Sequence, residues 1–154
     1  MNVAKGSFKN LYAIRLAPGE DVMESIQKFC EENGVGHGVI VSGIGSLDGC
    51  SFFDPSEIPG KPGLYQYGAP IELPCPIELI ALNGIICTTE DGKPSLHIHG
   101  EFADEKGNAF GGHFKEGNRV LTTVELVIGE LDGIFMSRAI DPERGVPVFK
   151  PIQL

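Results

Sequence analysis

Basic side chains are scarce in this sequence, and the few that occur are scattered. The chain has 12 Lys and Arg residues against 21 Asp and Glu residues, which gives a formal net charge of −9. Proteins that bind nucleic acids usually carry a basic patch or stripe, because Lys and Arg pair with phosphates. The composition therefore disfavours direct DNA binding by this chain alone.

Long hydrophobic runs and paired cysteine motifs are also absent. No apolar run approaches the roughly 20 residues that span a bilayer, and the N-terminal MNVAKGSFKN lacks the hydrophobic region of a signal peptide. No CxxC occurs, which favours free buried thiols in a reducing cytosol over a disulfide framework or a thiolate metal site. We therefore expect a cytoplasmic protein with no membrane association. The cysteines are Cys30, Cys50, Cys75 and Cys87.

What is present is enough apolar sequence for one domain. Apolar residues make up 42% of the 154 residues, and 21 glycines and 11 prolines lie mainly between apolar runs, as turns do in strand-rich proteins. No repeat or interior linker is visible, so we expect a single domain over residues 1–154.

The coarse element pattern predicts one main helix and many strands. Residues 20–33 carry an apolar stripe at helical spacing, with acidic residues in the first turns and Gly34 after the end. The range 54–68 predicts a loop, and Gly84 predicts a β-bulge. The expected fold is α+β, one helix packed on a mainly antiparallel sheet of about six or seven strands. Strands are predicted at 11–17, 38–44, 51–54, 77–88, 96–103, 109–114, 120–130, 134–139 and near Val148.

Three of the four histidines lie in two neighbouring predicted strands. Side chains alternate along a strand, so His97 and His99 share one face. Asp104 and Gly107 suit a type I turn followed by a left-handed glycine, the common three-residue hairpin loop. In that register residue 99 faces 113, and His113 joins the other two imidazoles. A two-residue loop would instead pair 100 with 113 and move His113 to the opposite face.

Three imidazoles at one point match the protein ligands of a catalytic zinc site with one open position. The same ligand set suits Fe, Ni or Co. We therefore predict a divalent transition metal, with Zn²⁺ the first candidate, held by His97, His99 and His113. Gly111 and Gly112 would allow the close backbone approach that a crowded site needs.

Two further side chains are candidates for catalysis. Glu101 shares the face of His99, where it would serve as a fourth ligand, as a partner of an imidazole or as a general base, or would simply be a solvated carboxylate. Arg15 lies in an apolar strand and would bind an anion or complete an ion pair, with the structural role favoured. We expect His37 to be a loop residue, and the glycine-rich run 42–46 lacks the helix that a phosphate loop requires.

In several segments the chain resembles the plants-and-prokaryotes-conserved (PPC) domain family. The resemblance spans about residues 8–140 and implies an α+β domain that assembles as a homotrimer. In similar prokaryotic members three histidines bind a metal, usually zinc, and these correspond to His97, His99 and His113. In plants the domain follows a basic AT-hook, and no such Arg-Gly-Arg-like arm occurs here. The matching segments are 15–21, 42–46, 76–84, 96–99 and 110–113.

Three functions remain open from the sequence. The first is a metal-dependent small-molecule binder or enzyme, with the ligand at the metal. The second is a DNA-associated regulatory protein, as in the plant members. The third is a trimeric scaffold with a structural metal. The sequence does not separate the first from the third.

Overall fold

A computed structural model describes residues 1–142 and 145–154, with one helix and twelve strands in that part of the chain. None of the helical residues described forms a segment long and apolar enough to cross a bilayer. The elements are β1 (Ser7–Leu16), α1 (Val22–Asn33), β2 (Gly38–Leu47), β3 (Cys50–Phe53), β4 (Pro55–Glu57), β5 (Tyr65–Tyr67), β6 (Ile71–Leu73), β7 (Ile77–Thr88), β8 (Pro94–Ala103), β9 (Ala109–Phe114), β10 (Val120–Asp132), β11 (Ile134–Ile140) and β12 (Pro147–Gln153).

Ten strands form one sheet, and β4 and β5 pair separately as a hairpin. The main order is β1-β10-β2-β7-β8-β9-β3-β6, and β11 joins β7 while carrying β12. The pairs are antiparallel apart from one parallel bridge between Ser137 and Thr88. The predicted α+β fold is confirmed, but the predicted number of strands, six or seven, is wrong.

Short strands explain part of that error. β4, β5 and β6 have three residues each and are mostly exposed, so no alternation of apolar and polar residues marks them in the sequence. β4 and β5 fall in the range predicted as a loop, where Pro55 pairs with Tyr67 and Glu57 with Tyr65. The loop prediction is therefore wrong for both strands, and their hairpin lines a cleft together with three histidines.

The predicted helix is confirmed, with a start two residues later than expected. Asp21 keeps an extended conformation and caps the helix, and its side chain accepts a hydrogen bond from the backbone N–H of Glu24 at 3.1 Å. Gly34 ends the helix in the left-handed region at φ 67°, and its N–H bonds the carbonyl of Cys30. The helix buries Val22, Ile26 and Cys30 against the sheet.

One face of the main sheet forms the hydrophobic core with the helix. In β8, Ile98, Gly100 and Phe102 are buried in this core. The odd-numbered residues of β8 alternate to the opposite face. The helix and core therefore occupy one side of β8, and His97 and His99 project from the other.

Gly84 is required for a reason other than the predicted bulge. It pairs in regular register with Ile98, and the irregularity between β7 and β8 lies between Leu79 and Ala81. A Cβ atom at position 84 would collide with the carbonyl oxygen of His97. The bulge prediction is therefore wrong, and the glycine permits close packing of the strand that carries the histidines.

The cysteines follow the expected pattern with one exception. All four are free; Cys30, Cys50 and Cys87 are buried, as predicted, and Cys75 is exposed. Cys75 lies in the irregular segment between β6 and β7, where no core-facing strand carries its side chain. The prediction of a buried thiol is wrong for this residue alone.

A buried carboxylate joins β1 to β10. Glu130 is 7% exposed and accepts hydrogen bonds from Lys9 Nζ at 2.7 Å, Asn10 Nδ2 at 2.7 Å and Tyr12 Oη at 3.1 Å. These donors, the Lys9 ammonium first, hold the pKa of Glu130 below its ordinary value. A carboxylate with a lowered pKa stabilises the fold above its unfolded-state pKa, and that stabilisation is lost as the pH falls through its folded-state pKa.

We expect Glu130→Ala to lower the free energy of unfolding at pH 7 by about 1–3 kcal/mol, since it removes the charged acceptor of three side-chain hydrogen bonds. Urea unfolding measures the difference, which should shrink as the pH is lowered towards 3. Glu72→Ala, at an exposed position of β6, is the control and should have little effect. Equal stability of the two variants at pH 7 would contradict this role of Glu130.

Candidate metal centre

The hairpin between β8 and β9 has the register that the turn sequence predicts. His99 pairs with His113, and Ala103 pairs with Ala109. Asp104 N–H bonds the carbonyl of Asn108 at 3.1 Å. The three-residue loop is confirmed, and the alternative two-residue loop is wrong.

The side chain of Asp104 fixes this loop. Its Oδ1 accepts hydrogen bonds from the backbone N–H groups of Lys106 and Asn108, both at 2.9 Å, and its Oδ2 accepts from Asn108 Nδ2 at 2.8 Å. Gly107 takes the left-handed conformation at φ 78°, which L side chains rarely adopt. A local sequence feature therefore determines which residues face each other several positions away.

The three histidines converge as predicted. Their ring centroids are 5.1, 5.3 and 5.4 Å apart. One ring nitrogen from each histidine lies within 4.8 Å of those of the other two, and Nε2 of His97 is 3.3 Å from Nε2 of His99. His97 and His113 are half-buried, and His99 is exposed.

The spacing of His97 and His99 fits a tetrahedral metal ion. Zn–N bonds of roughly 2.0–2.1 Å would hold two ligand nitrogens about 3.3–3.4 Å apart, which is the spacing found between His97 and His99. His113 adds an independent indication, because its Nδ1 is buried without a hydrogen-bond partner. Buried polar atoms normally have partners, so this nitrogen requires an explanation.

Burial and nearby charge favour the neutral imidazoles of His97 and His113, the form that binds a metal. Burial, followed by the charge of Arg138 and the neighbouring imidazoles, lowers the pKa of His97 to about 4. Burial also lowers the pKa of His113, assisted by His99 and Arg138. Both rings therefore hold a free nitrogen lone pair at neutral pH.

The histidines line a cleft of about 460 Å³. Tyr67 of the β4–β5 hairpin stacks on His113, with ring centroids 4.6 Å apart and an angle of 25° between the planes. Gly112 allows β3 to pack closely against β9, since a Cβ atom there would meet Phe52 and Asp54 at under 3 Å. The other lining residues are Phe53, Pro55, Tyr65, Gln66, Arg138, Val146 and Pro147.

Sequence reasoning missed Tyr65, Tyr67 and Arg138. The spacing of the two tyrosines would have placed both on one side of a strand, but the surrounding Pro and Gly favoured a loop. Arg138 stands on β11, distant from the histidines in sequence, and no local pattern connects it to them. Only the pairing of β11 with β7 brings it to the cleft.

The two candidate catalytic residues lie outside this cleft. Glu101 is exposed and pairs with Gly111, on the strand face that carries His99. Its carboxylate makes no hydrogen bond to a histidine in the described part of the chain. Arg15 is exposed on β1, where its Nε donates a hydrogen bond to Thr123 Oγ1 at 3.3 Å. The structure does not bring Arg15 to the histidines.

The fourth histidine and the glycine-rich run have structural roles. His37 precedes β2, its Nδ1 accepts a hydrogen bond from the Met136 N–H at 3.2 Å, and its ring packs on Phe135. It is no member of the cluster, as expected. Residues 42–46 lie within β2, so they form no phosphate-binding loop.

These features define a class: a small α+β domain with one helix over an antiparallel sheet and a three-histidine candidate metal site on the other side. A family description named the Plants and Prokaryotes Conserved (PCC) domain matches residues 3–132. The chain belongs to this family, which confirms the resemblance found in the sequence.

Solved structures agree with this assignment. A metal-containing protein from Archaeoglobus fulgidus is 26% identical, with a TM-score of 0.82 over 97% of this chain and 99% of the other. A plant- and prokaryote-conserved protein from Pyrococcus horikoshii is 28% identical, with a TM-score of 0.81 and complete coverage of both chains, 100% each. A candidate DNA-binding protein from Ralstonia eutropha, 24% identical with a TM-score of 0.74 over 90% of this chain and 89% of the other, shares the fold.

A curated relative is the bifunctional protein GlmU of a Synechococcus strain, 29% identical over 140 residues. The match takes in 91% of this chain and 20% of that protein. The chain thus spans about a fifth of the length of the curated relatives it matches.

We expect the metal-free protein to lose stability as the pH falls from about 6.5, the ordinary histidine pKa, towards 4, the folded-state pKa of His97. In this range His97 binds a proton in the unfolded chain but not in the folded chain, so protonation favours unfolding. Urea unfolding across the range measures the slope, and His97→Gln should make it shallower. Identical slopes for both proteins would contradict the lowered pKa.

Proposed function

We propose that His97, His99 and His113 bind a divalent transition metal ion beside a cleft that takes a small molecule. One observation carries the proposal: three nitrogen atoms, one per histidine, lie within 4.8 Å of one another on a rigid strand pair. The similarity to a metal-containing protein from Archaeoglobus fulgidus supports it. Zn²⁺ is our first candidate, since neutral imidazoles at tetrahedral spacing suit it, and Fe, Ni or Co are the alternatives.

The cleft gives the site its functional interpretation. Three protein ligands leave a coordination position free, and a divalent ion held there supplies Lewis acidity to an oxygen donor of a bound molecule. Tyr67 holds the ring of His113 by stacking, and the hairpin that carries it forms one wall of the cleft. Glu101 remains our candidate proton acceptor, because it follows His99 on the same strand face.

Assembly into a homotrimer is part of the same proposal. The sheet exposes large apolar side chains on three strands of its β1-β10-β2-β7 part, which are Leu11 on β1, Ile44 on β2 and Ile80 on β7. An exposed apolar surface of this kind is typical of a subunit contact. Arg15 lies on this surface beside Ile44, so we assign it to the subunit contact and no longer to catalysis.

The two alternatives predict different behaviour. A structural metal in a trimeric scaffold would make folding depend on the metal and would leave the cleft without a ligand. A DNA-associated role has the description of the Ralstonia protein in its favour, but the net charge of −9 gives this chain little attraction for phosphates. We therefore place the small-molecule role first.

We expect the purified protein to contain one metal ion per chain and His97→Ala to lose it, because two imidazoles hold a metal much less tightly than three. Elemental analysis measures the content, and His37→Ala, whose ring lies outside the cluster, is the matched control. Circular dichroism should show that both variants fold. Metal retained by His97→Ala would contradict the proposed site.

The melting temperature of the same samples, measured with and without a chelator, distinguishes a functional metal from a structural one. Chelation should lower the melting temperature of the wild-type protein only modestly, because the core on the helix side of the sheet does not involve the histidines. Complete unfolding on chelation would favour the scaffold alternative.

We expect Ile44→Asp to dissociate the trimer, since it places a charge in the apolar contact. Light scattering should give three times the chain mass for the wild-type protein and the mass of one chain for the variant. Val3→Asp is the control at an exposed apolar position outside the sheet. A wild-type monomer, or an intact Ile44→Asp trimer, would contradict this assignment.

A further inference from the structure

Among the residues that the structure describes, Arg138 is a cation in the cleft without an acidic partner. Its side chain lines the cleft together with the three histidines and is half-buried. One terminal nitrogen, Nη2, donates to the carbonyl oxygen of Pro147 at a long 3.3 Å. Its Nε is buried and has no hydrogen-bond partner. Most of its five N–H donors therefore have no acceptor among the described residues.

The surrounding side chains do not neutralise this charge. Among the described residues, the ion pairs are those of Lys9, Lys28 and Lys93, and none includes Arg138. Asp54 is the acidic residue that lines the cleft, and it lies beside Gly112 without reaching the guanidinium. A partly buried arginine without a carboxylate is costly to maintain, and a bound anion would supply the acceptor that the described residues do not.

Arg138 and the histidine cluster share one cavity. The arginine side chain lines the cleft together with His97, His99 and His113. A molecule that contacts the histidines therefore lies within reach of the arginine. The cation and the candidate metal site belong to one cavity and act on one ligand.

The chemistry of the cleft selects the kind of anion. A guanidinium offers a planar fork that pairs with a carboxylate through two parallel hydrogen bonds. A phosphate group is usually held by further cations or by a run of backbone N–H groups, and among the described lining residues Arg138 is the one lysine or arginine. The walls are largely aromatic or apolar, with Tyr65, Tyr67 and Phe53 on one side.

We propose that the cleft binds a small organic carboxylate, with its carboxylate on the Arg138 guanidinium, its apolar body against the tyrosines and its other end at the histidines. This inference rests on the metal site proposed above for the last of these contacts. The first two contacts depend only on side chains of this chain. Arg138 is accordingly a positioning residue for the ligand and a determinant of its charge.

The test compares carboxylates with their uncharged amides. The probes are acetate, benzoate and 3-phenylpropionate, each paired with the corresponding primary amide, titrated calorimetrically into metal-loaded protein. We expect the best carboxylate to bind at least tenfold more tightly than its amide. Arg138→Gln should remove most of that preference without changing the affinity for the amide or the metal content.

Arg119→Gln is the matched control. Arg119 also donates one hydrogen bond to a backbone carbonyl, that of Gly19 at 3.0 Å, but it lies outside the cleft. Arg138→Lys keeps the charge and loses the planar fork, so it should give an intermediate preference for the carboxylate. This variant replaces Arg138→Gln in the test if Arg138→Gln does not fold. The inference is overturned if the wild-type protein prefers no carboxylate over its amide, or if Arg138→Gln keeps the preference.

The outcome for the metal is read separately. Elemental analysis of the titrated samples decides whether the metal site exists. If the protein holds no metal, the proposed function fails, and titration of that metal-free protein decides the carboxylate site alone. A preference for carboxylates that depends on Arg138 would then support the anion contact, and its absence would overturn it.

Discussion

The pairing register of β8 and β9 is the constraint on which the candidate site depends. A shift by one residue would turn His113 to the core side of the sheet and leave two imidazoles instead of three. The loop that fixes the register is held by three hydrogen bonds to the Asp104 carboxylate and by the left-handed conformation of Gly107. The chemistry at one end of the hairpin is thus determined by turn geometry at the other.

Burial and charge then prepare the converged side chains for a metal. The core and helix occupy one face of β8, which leaves the opposite face free for polar groups, and the β4–β5 hairpin covers part of that face through the stack of Tyr67 on His113. Burial favours neutral imidazoles, and Arg138 strengthens the effect. The net charge of the chain is −9. The cleft nevertheless offers two kinds of contact, imidazole nitrogens for a cation and the Arg138 guanidinium for an anion.

How much was predictable depended on the range of the interactions. The helix, the long strands and the three histidines follow from local periodicity and from one turn, so the sequence was sufficient to predict them. Tyr67 and Arg138 reach the cleft through a short exposed hairpin and through the single bridge of β11 to β7, which no local pattern encodes. For Gly84 the sequence indicated a special position but not the reason for it. The glycine permits a close contact with His97 and does not form a bulge.

X-ray absorption spectroscopy of the metal-loaded protein tests the central claim most directly. We predict a first shell with three imidazole nitrogens, at roughly 2.0–2.1 Å for zinc. Oxygen or nitrogen donors from outside the histidine cluster should complete the shell. His113→Ala should lose one imidazole from the shell. A shell with sulfur at about 2.3 Å, or one without imidazole scattering, would contradict the three-histidine site.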